Sequence, residues 1–183
     1  VMFADDITLL RKSRADAVVA SIPTLAYAIG AIGGLRMAAY AGIGCAVVVC
    51  AIAARRRPLP AVAGLFGVIF AVGIALVTRR PTAFFLPGIA LNGTLAAAGI
   101  SSLLARRPVL AYTLATVWPR FAGWRENDGL RGVGAALTAV WTVVFLLRFV
   151  VMGVCYLAGA GPSLLAVVKI VLGLPLAAIA AAV

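Results

Sequence analysis

Long apolar runs alternate with short polar runs along the chain, and most of the polar runs are rich in arginine. A helix needs roughly 17 to 25 apolar residues to cross the hydrocarbon core of a bilayer, and these runs are about that long. The pattern therefore predicts an all-α integral membrane bundle of six transmembrane helices. We place the helices at about 15–33, 36–54, 60–78, 83–105, 132–158 and 162–183.

The stretch between the fourth and fifth predicted helices does not follow this pattern. Pro108–Trp118 is apolar but too short to span a bilayer, and the polar residues after it continue to Arg131. Tyr112 and Trp118 are residue types that favour the membrane–water interface. We therefore predict a short interfacial helix over 108–118. The chain then has two parts, a cytoplasmic N-terminal segment over 1–14 and one transmembrane domain over 15–183.

The composition supports a membrane protein over a soluble one. Hydrophobic residues make up 64% of the chain and charged residues 11%, whereas soluble domains are about a quarter charged. The net charge of +11 fits a nucleic-acid binder, but the basic residues lie in short clusters between apolar runs, so we expect no nucleic-acid partner. Because histidine is absent and the three cysteines lie in apolar runs, we expect neither a metal nor a cofactor.

The basic residues also predict the orientation. In alternate loops, eleven lysines and arginines fall on one side of the membrane and three on the other. Short loops rich in lysine and arginine stay in the cytoplasm. The sequence thus predicts a multi-pass protein of the cell membrane with both termini in the cytoplasm and with membrane lipid as a partner.

Several short passages are distinctive, above all a Phe-Phe-Leu-Pro-Gly sequence that is followed by an asparagine. The passages are Ser21–Leu25, Arg79–Pro81, Phe84–Ile89, Asn92, Arg106–Pro108, Phe145–Arg148 and Leu172–Leu176. They resemble an actinobacterial family of small six-helix membrane proteins that is known only as a domain of unknown function. Some of its members resemble membrane-bound terpene cyclases of natural-product pathways. The resemblance implies a lipophilic, prenylated substrate.

Two basic residues lie inside predicted spans, and such cations usually face the interior of a bundle or a cavity. At 1.5 Å per residue, Arg148 and Lys169 reach a similar depth in the outer third of the membrane. One interpretation is that both side chains extend to the outer lipid headgroups. The other is that they share a polar pocket with Asn92 and bind an anionic or carbonyl-bearing ligand.

The five acidic residues all map to the predicted cytoplasmic end, where a carboxyl group has a second possible role. An acid can start the cyclisation of a prenyl chain by protonating it, and aromatic rings can stabilise the resulting cation. Asp16 is the best-placed candidate acid, followed by Asp5 and Asp6; their structural alternative is helix capping. Candidate substrate-binding aromatic residues are Tyr27, Trp141 and Phe145.

Our first functional hypothesis is accordingly a membrane-embedded, isomerase-type cyclase that protonates a prenylated substrate. A cyclase that ionises a diphosphate is disfavoured, because it needs several carboxylates around magnesium. The alternative is a non-enzymatic membrane protein, either a transporter-like or a structural subunit, that binds an anionic ligand or a lipid.

Overall fold

The computed structural model describes residues 21–55, 58–117 and 123–182, without the side chains at 60, 117 and 174–182. Helices and turns make up this part of the chain, and it contains no strand. The all-α class is thereby confirmed for the described residues. The predicted N-terminal segment over 1–14 and the start of the first span lie outside them.

Seven helices follow one another in the described residues. The described part of the first helix ends in a short 3-10 turn, Ala31–Gly33, and another 3-10 turn, Pro81–Phe85, precedes the fourth helix. The helices are α1 (Ser21–Gly33), α2 (Leu35–Ala54), α3 (Pro58–Thr78), α4 (Leu86–Leu104), α5 (Val109–Val117), α6 (Asp128–Leu157) and α7 (Pro162–Ala182).

Four helical segments of the described chain are long and apolar enough to cross a membrane. They are Leu35–Ala54, Ala61–Thr78, Pro81–Leu104 and Asp128–Leu157. These segments match the second to fifth predicted spans and indicate a membrane protein. The shorter apolar helices Ser21–Gly33 and Pro162–Gly173 occupy the places of the first and sixth predicted spans, so a total of six spans stays a prediction.

Two predicted boundaries differ from the structure. The fourth span was expected as one helix from about residue 83, but the 3-10 turn Pro81–Phe85 comes first and α4 begins at Leu86, with Pro87 in its first turn. Proline is favoured there because the first helical residues lack an N–H partner anyway. Helix α6 begins at Asp128 because the Asn127 side chain accepts hydrogen bonds from the N–H groups of Gly129 and Leu130, at 3.0 and 3.3 Å.

The described chain divides into two compact units. The first contains residues up to 87 and those from 154 onward, and the second contains residues 88–153. In the first unit the core surrounds Tyr27, which is 0% exposed, and Gly42 lies directly against it: a Cβ on Gly42 would lie 3.1 Å from the Tyr27 ring. The absence of a side chain at Gly42 lets α1 and α2 approach closely.

Small residues also let the helices of the second unit pack closely. A side chain at Gly99 on α4 would overlap Thr142 on α6, and one at Gly134 would come within 2.6 Å of the Cβ atom of Ala111 on α5. Close backbone approach is the usual means of helix association where lipid provides no hydrophobic drive. Contacts of Gly134 and its neighbours hold α5 against α6, and these two helices carry Tyr112 and Arg131 of the site described next.

Candidate functional site

Helix α4 ends in a turn that places two consecutive arginines just beyond it. The Arg106 N–H donates to the Leu103 carbonyl and the Arg107 N–H donates to the Ser102 carbonyl, both at 2.9 Å. This pair of bonds defines a Schellman motif, whose left-handed residue is usually glycine. Arg106 occupies that position with a φ of 54°, although a side chain there costs roughly 1–2 kcal/mol.

Thr138 connects α5 to α6 and fixes the next part of the site. Its hydroxyl donates to the Gly134 carbonyl at 2.7 Å and accepts a hydrogen bond from the Leu110 N–H at 3.3 Å. Thr138 is almost fully buried, so this link is shielded from competing solvent. This hydrogen bond holds the start of α5 against α6.

A turn before α6 supplies the remaining residues of the site. The Glu126 N–H donates to the Gly123 carbonyl at 3.2 Å, so Trp124 and Arg125 lie within a closed turn. Trp124 is buried, and its ring meets that of Tyr112 edge-on, with the ring centres 5.0 Å apart. The Trp124 ring thereby ties the turn to α5.

These elements enclose a cavity of about 330 Å³ that is open to the outside. We call it the arginine–aromatic pocket. The described residues that line it are Arg106, Arg107, Tyr112, Trp124, Arg125 and Arg131. They include four guanidinium groups and no carboxylate. The electrostatic potential inside this concave surface is therefore positive.

Two of the four guanidinium groups are held in place by neighbouring side chains. The Arg125 guanidinium lies over the rings of Tyr112 and Trp124, 5.1 and 5.6 Å from their centres, at distances typical of cation–π contacts. Arg131 forms an ion pair with Asp128 on the first turn of α6, at 3.1 Å. Among the described residues, no ion pair involves the other three arginines of the pocket.

The pocket suits an anion with several oxygen acceptors. A guanidinium presents a planar set of donors that matches phosphate or carboxylate oxygens two at a time. A metal ion would need oxygen, nitrogen or sulfur ligands instead, and the described residues contain no group of three or more such side chains. The chemistry available at the pocket is therefore the binding of a negatively charged group.

A second group of basic and aromatic residues lies in the first unit. We call it the lysine–aromatic cluster; its members are Thr24, Tyr27, Phe84, Phe85 and Lys169. The Lys169 ammonium donates to the Thr24 hydroxyl at 3.1 Å and lies 5.8 and 6.0 Å from the ring centres of Phe84 and Phe85.

Tyr27 completes the lysine–aromatic cluster from α1. Its ring stacks on Phe84 with the centres 3.9 Å apart, and its hydroxyl donates to the Pro81 carbonyl at 2.9 Å. All of its members except Lys169 are buried. The contacts join α1, the 3-10 turn before α4, and α7. The cluster is therefore part of the packing between these elements in the first unit.

The structure brings together some of the predicted site residues. Tyr27 and Lys169 both contact Phe84, and Trp141 and Phe145 lie side by side on α6, with ring centres 5.5 Å apart. The Asn92 amide donates to the Gly88 carbonyl of its own helix at 2.6 Å.

Other predicted site residues fall in different parts of the chain. Arg148 is half-buried on α6 and belongs to the second unit with Asn92, whereas Lys169 belongs to the first. The pocket that was expected to join these three residues stays a prediction. The candidate acids Asp5, Asp6 and Asp16 lie outside the described residues.

Sequence reasoning missed the arginine–aromatic pocket. Its arginines were interpreted as orientation signals and as contacts to anionic lipid, and its aromatic residues as interface residues, but no common cavity was predicted. A signal was nevertheless present, because Arg-Arg-Pro occurs at 79–81 and again at 106–108. Only the second copy is followed, within about 25 residues, by a tyrosine, a tryptophan and two further arginines. These residues line one cavity.

Comparisons with known proteins give a family but no characterised relative. Neither the curated proteins nor the solved structures contain a significant match to the chain. A family model described as a protein of unknown function, DUF3159, matches residues 14–183, which is nearly the whole chain and all of the predicted transmembrane domain. The predicted resemblance to a family of unknown function is thus confirmed, and the chain belongs to the DUF3159 family.

Proposed function

We propose that this chain is a membrane protein that binds a phosphate-bearing ligand in the arginine–aromatic pocket. The observation that carries the proposal is the convergence of four arginines on one cavity of about 330 Å³, whose described lining contains no acidic residue. Isolated surface arginines are common and need no ligand. Among the described residues, Arg131 alone of the four has an ion-pair partner, so the other three repel one another, and an anion at the centre removes that repulsion.

The aromatic residues of the pocket strengthen this proposal because they reduce the entropic cost of binding. A free arginine side chain loses about 2 kcal/mol of rotamer entropy when it is fixed. The Arg125 guanidinium is held against the rings of Tyr112 and Trp124 by these side chains themselves. Preorganised donors of this kind bind an anion more tightly than flexible ones.

The predicted orientation makes a membrane lipid a natural source of the phosphate. The count of basic residues predicts that the loop containing Arg106 and Arg125 lies in the cytoplasm, and anionic lipids are concentrated in the cytoplasmic leaflet. A ligand with a phosphate head and an apolar tail satisfies both the pocket and the apolar helices beside it.

Calorimetric titration of the full chain in detergent micelles with dihexanoyl phosphatidylglycerol tests the proposal. Changing both Arg106→Gln and Arg107→Gln is expected to weaken binding by about tenfold or more, because a hydrogen bond to a charged group contributes about 1.5–3 kcal/mol. Added salt is expected to weaken binding as well.

Arg79→Gln together with Arg80→Gln is the matched control. This pair also follows a helix in a Schellman turn and precedes a proline, and Arg79 has a φ of 55°. The control variant also removes two positive charges, but from arginines that do not line the pocket. Equal loss of affinity in the two double variants would show that net charge, and not the pocket, attracts the lipid.

The protonation-initiated cyclase remains a second prediction, favoured by the adjacent Trp141 and Phe145 rings. The rings of Phe84 and Phe85 are less suited to stabilise a carbocation, because the Lys169 ammonium already lies near them. Incubating membranes that contain the protein with farnesylated small molecules, and searching for isomers of unchanged mass, tests this hypothesis. Turnover that survives Asp5→Asn, Asp6→Asn and Asp16→Asn would exclude these acids as its source.

A further inference from the structure

We propose that the ligand of the arginine–aromatic pocket is a diphosphate and not a single phosphate group. This inference rests on the proposed function and specifies its ligand class. It starts from charge balance. A phosphodiester brings one negative charge, and Arg131 already has Asp128 as a partner. Three further guanidinium groups line the cavity, so one phosphodiester leaves most of their charge unmatched.

The arrangement of the arginines along the chain also favours two phosphate groups. Arg106 and Arg107 are adjacent at the end of α4, while Arg125 and Arg131 flank the start of α6. The cavity is thus lined from two separate chain segments. Each guanidinium can bind two oxygens of one phosphate, and two linked phosphates provide enough acceptor oxygens for Arg106 and Arg107 on one segment and Arg125 on the other.

Arg106 is the arginine on which recognition of the second phosphate is tested. Its place in the pocket lining beside Arg107 distinguishes it from Arg79, which has the same left-handed backbone in the same kind of turn, with a φ of 55° against 54°. Because the two residues share this backbone strain, a difference in diphosphate binding between their variants comes from the pocket.

The lining of the pocket favours the holding of a diphosphate over its cleavage. Ionisation of a diphosphate ester needs magnesium held by carboxylates, and the described lining residues include none. We infer that the ligand is bound through its diphosphate group. The rest of the ligand, a lipid tail or another substituent, extends out of the pocket. This agrees with the absence, in the described residues, of a metal-binding group of side chains.

The test compares inorganic diphosphate with inorganic orthophosphate as calorimetric probes of the full chain in detergent, in a chloride buffer. We expect diphosphate to bind at least about tenfold more tightly, which corresponds to one additional charge-assisted contact. Arg106→Gln is expected to abolish this preference while orthophosphate binding persists, and Arg79→Gln is expected to retain it.

The outcomes separate this inference from the proposed function. Equal affinities for the two anions would overturn the diphosphate preference and leave phosphate binding intact. Binding of neither anion, together with no pocket-dependent binding of dihexanoyl phosphatidylglycerol, would overturn both. A preference that Arg106→Gln leaves unchanged would overturn the role of Arg106.

A final arm distinguishes a lipid-borne diphosphate from a soluble one. The protein is placed in phosphatidylcholine nanodiscs with or without hexadecyl diphosphate and is titrated with inorganic diphosphate. A lipid-borne ligand is expected to compete and to raise the apparent Kd of the soluble probe by about tenfold. An unchanged Kd would assign the pocket to soluble diphosphates.

Discussion

The lysine–aromatic cluster and the arginine–aromatic pocket contain the same kinds of residue but in different arrangements. In the cluster, the Lys169 ammonium has the Thr24 hydroxyl and two phenyl rings as partners, and the aromatic side chains are buried. In the pocket, four exposed guanidinium groups surround about 330 Å³ of open space. The comparison suggests a division of roles that can be tested: the cluster contributes to packing, and the open pocket is the proposed binding site.

The largest effect is expected for Tyr27→Ala, which tests whether the lysine–aromatic cluster stabilises the fold. Tyr27 is fully buried, so its removal leaves a cavity beside Phe84 and removes the hydrogen bond to Pro81. We expect the free energy of unfolding in detergent to fall by about 3–5 kcal/mol. The matched control is Tyr40→Ala, because Tyr40 is 75% exposed and its loss is expected to cost less than about 1 kcal/mol.

A similar loss of stability in both tyrosine variants would contradict a packing role for the cluster. So would a Tyr27→Ala protein of normal stability. Tyr27→Phe refines the result, since it keeps the ring on Phe84 and removes only the hydroxyl, for which we expect about 1 kcal/mol.

Thr24→Val tests whether the polar centre of the lysine–aromatic cluster also contributes. Valine has the shape of threonine but cannot accept the hydrogen bond of the Lys169 ammonium. We expect a loss of about 1–2 kcal/mol in thermal or chemical unfolding experiments, with no change in the affinity of the arginine–aromatic pocket for diphosphate. Thr94→Val is the control, because Thr94 is exposed and its hydroxyl donates to the Leu91 carbonyl of its own helix.

If Thr24→Val is as stable as the wild type, the ammonium is stabilised by other contacts and Thr24 is only a neighbour. If it weakens anion binding, the division of roles between the cluster and the pocket is wrong.

The sequence predicted the helices better than it predicted either region. Uninterrupted apolar runs were enough to locate the second to fifth spans, because lipid requires both length and apolarity. The start of α6 was missed because it depends on one side chain, Asn127, whose capping bonds lie outside any periodic pattern. Local capping chemistry therefore moved the boundary into the polar stretch.

The candidate sites were harder to predict because their partners are distant in the sequence. Lys169 stood out as a charge in an apolar run, but its bond to Thr24 spans 145 positions and follows from helix packing alone. The pocket arginines lie closer together in the chain. Their convergence, however, requires the link from Thr138 to α5 and the turn around Trp124, which hydropathy does not encode.

The smallest predicted change in stability, that of Arg106→Gly, separates fold from function most directly. Glycine removes the cost of a side chain at a φ of 54°, so we expect the free energy of unfolding to rise by about 0.5–1 kcal/mol. The same substitution deletes a guanidinium from the pocket, so the affinity for inorganic diphosphate is expected to fall about tenfold.

Arg79→Gly is the matched control: it relieves the same strain at a φ of 55° and is expected to gain stability without losing affinity. If Arg106 does not contact the ligand, both variants still become more stable, but both bind diphosphate as tightly as the wild type, and this result would contradict the proposed role of Arg106.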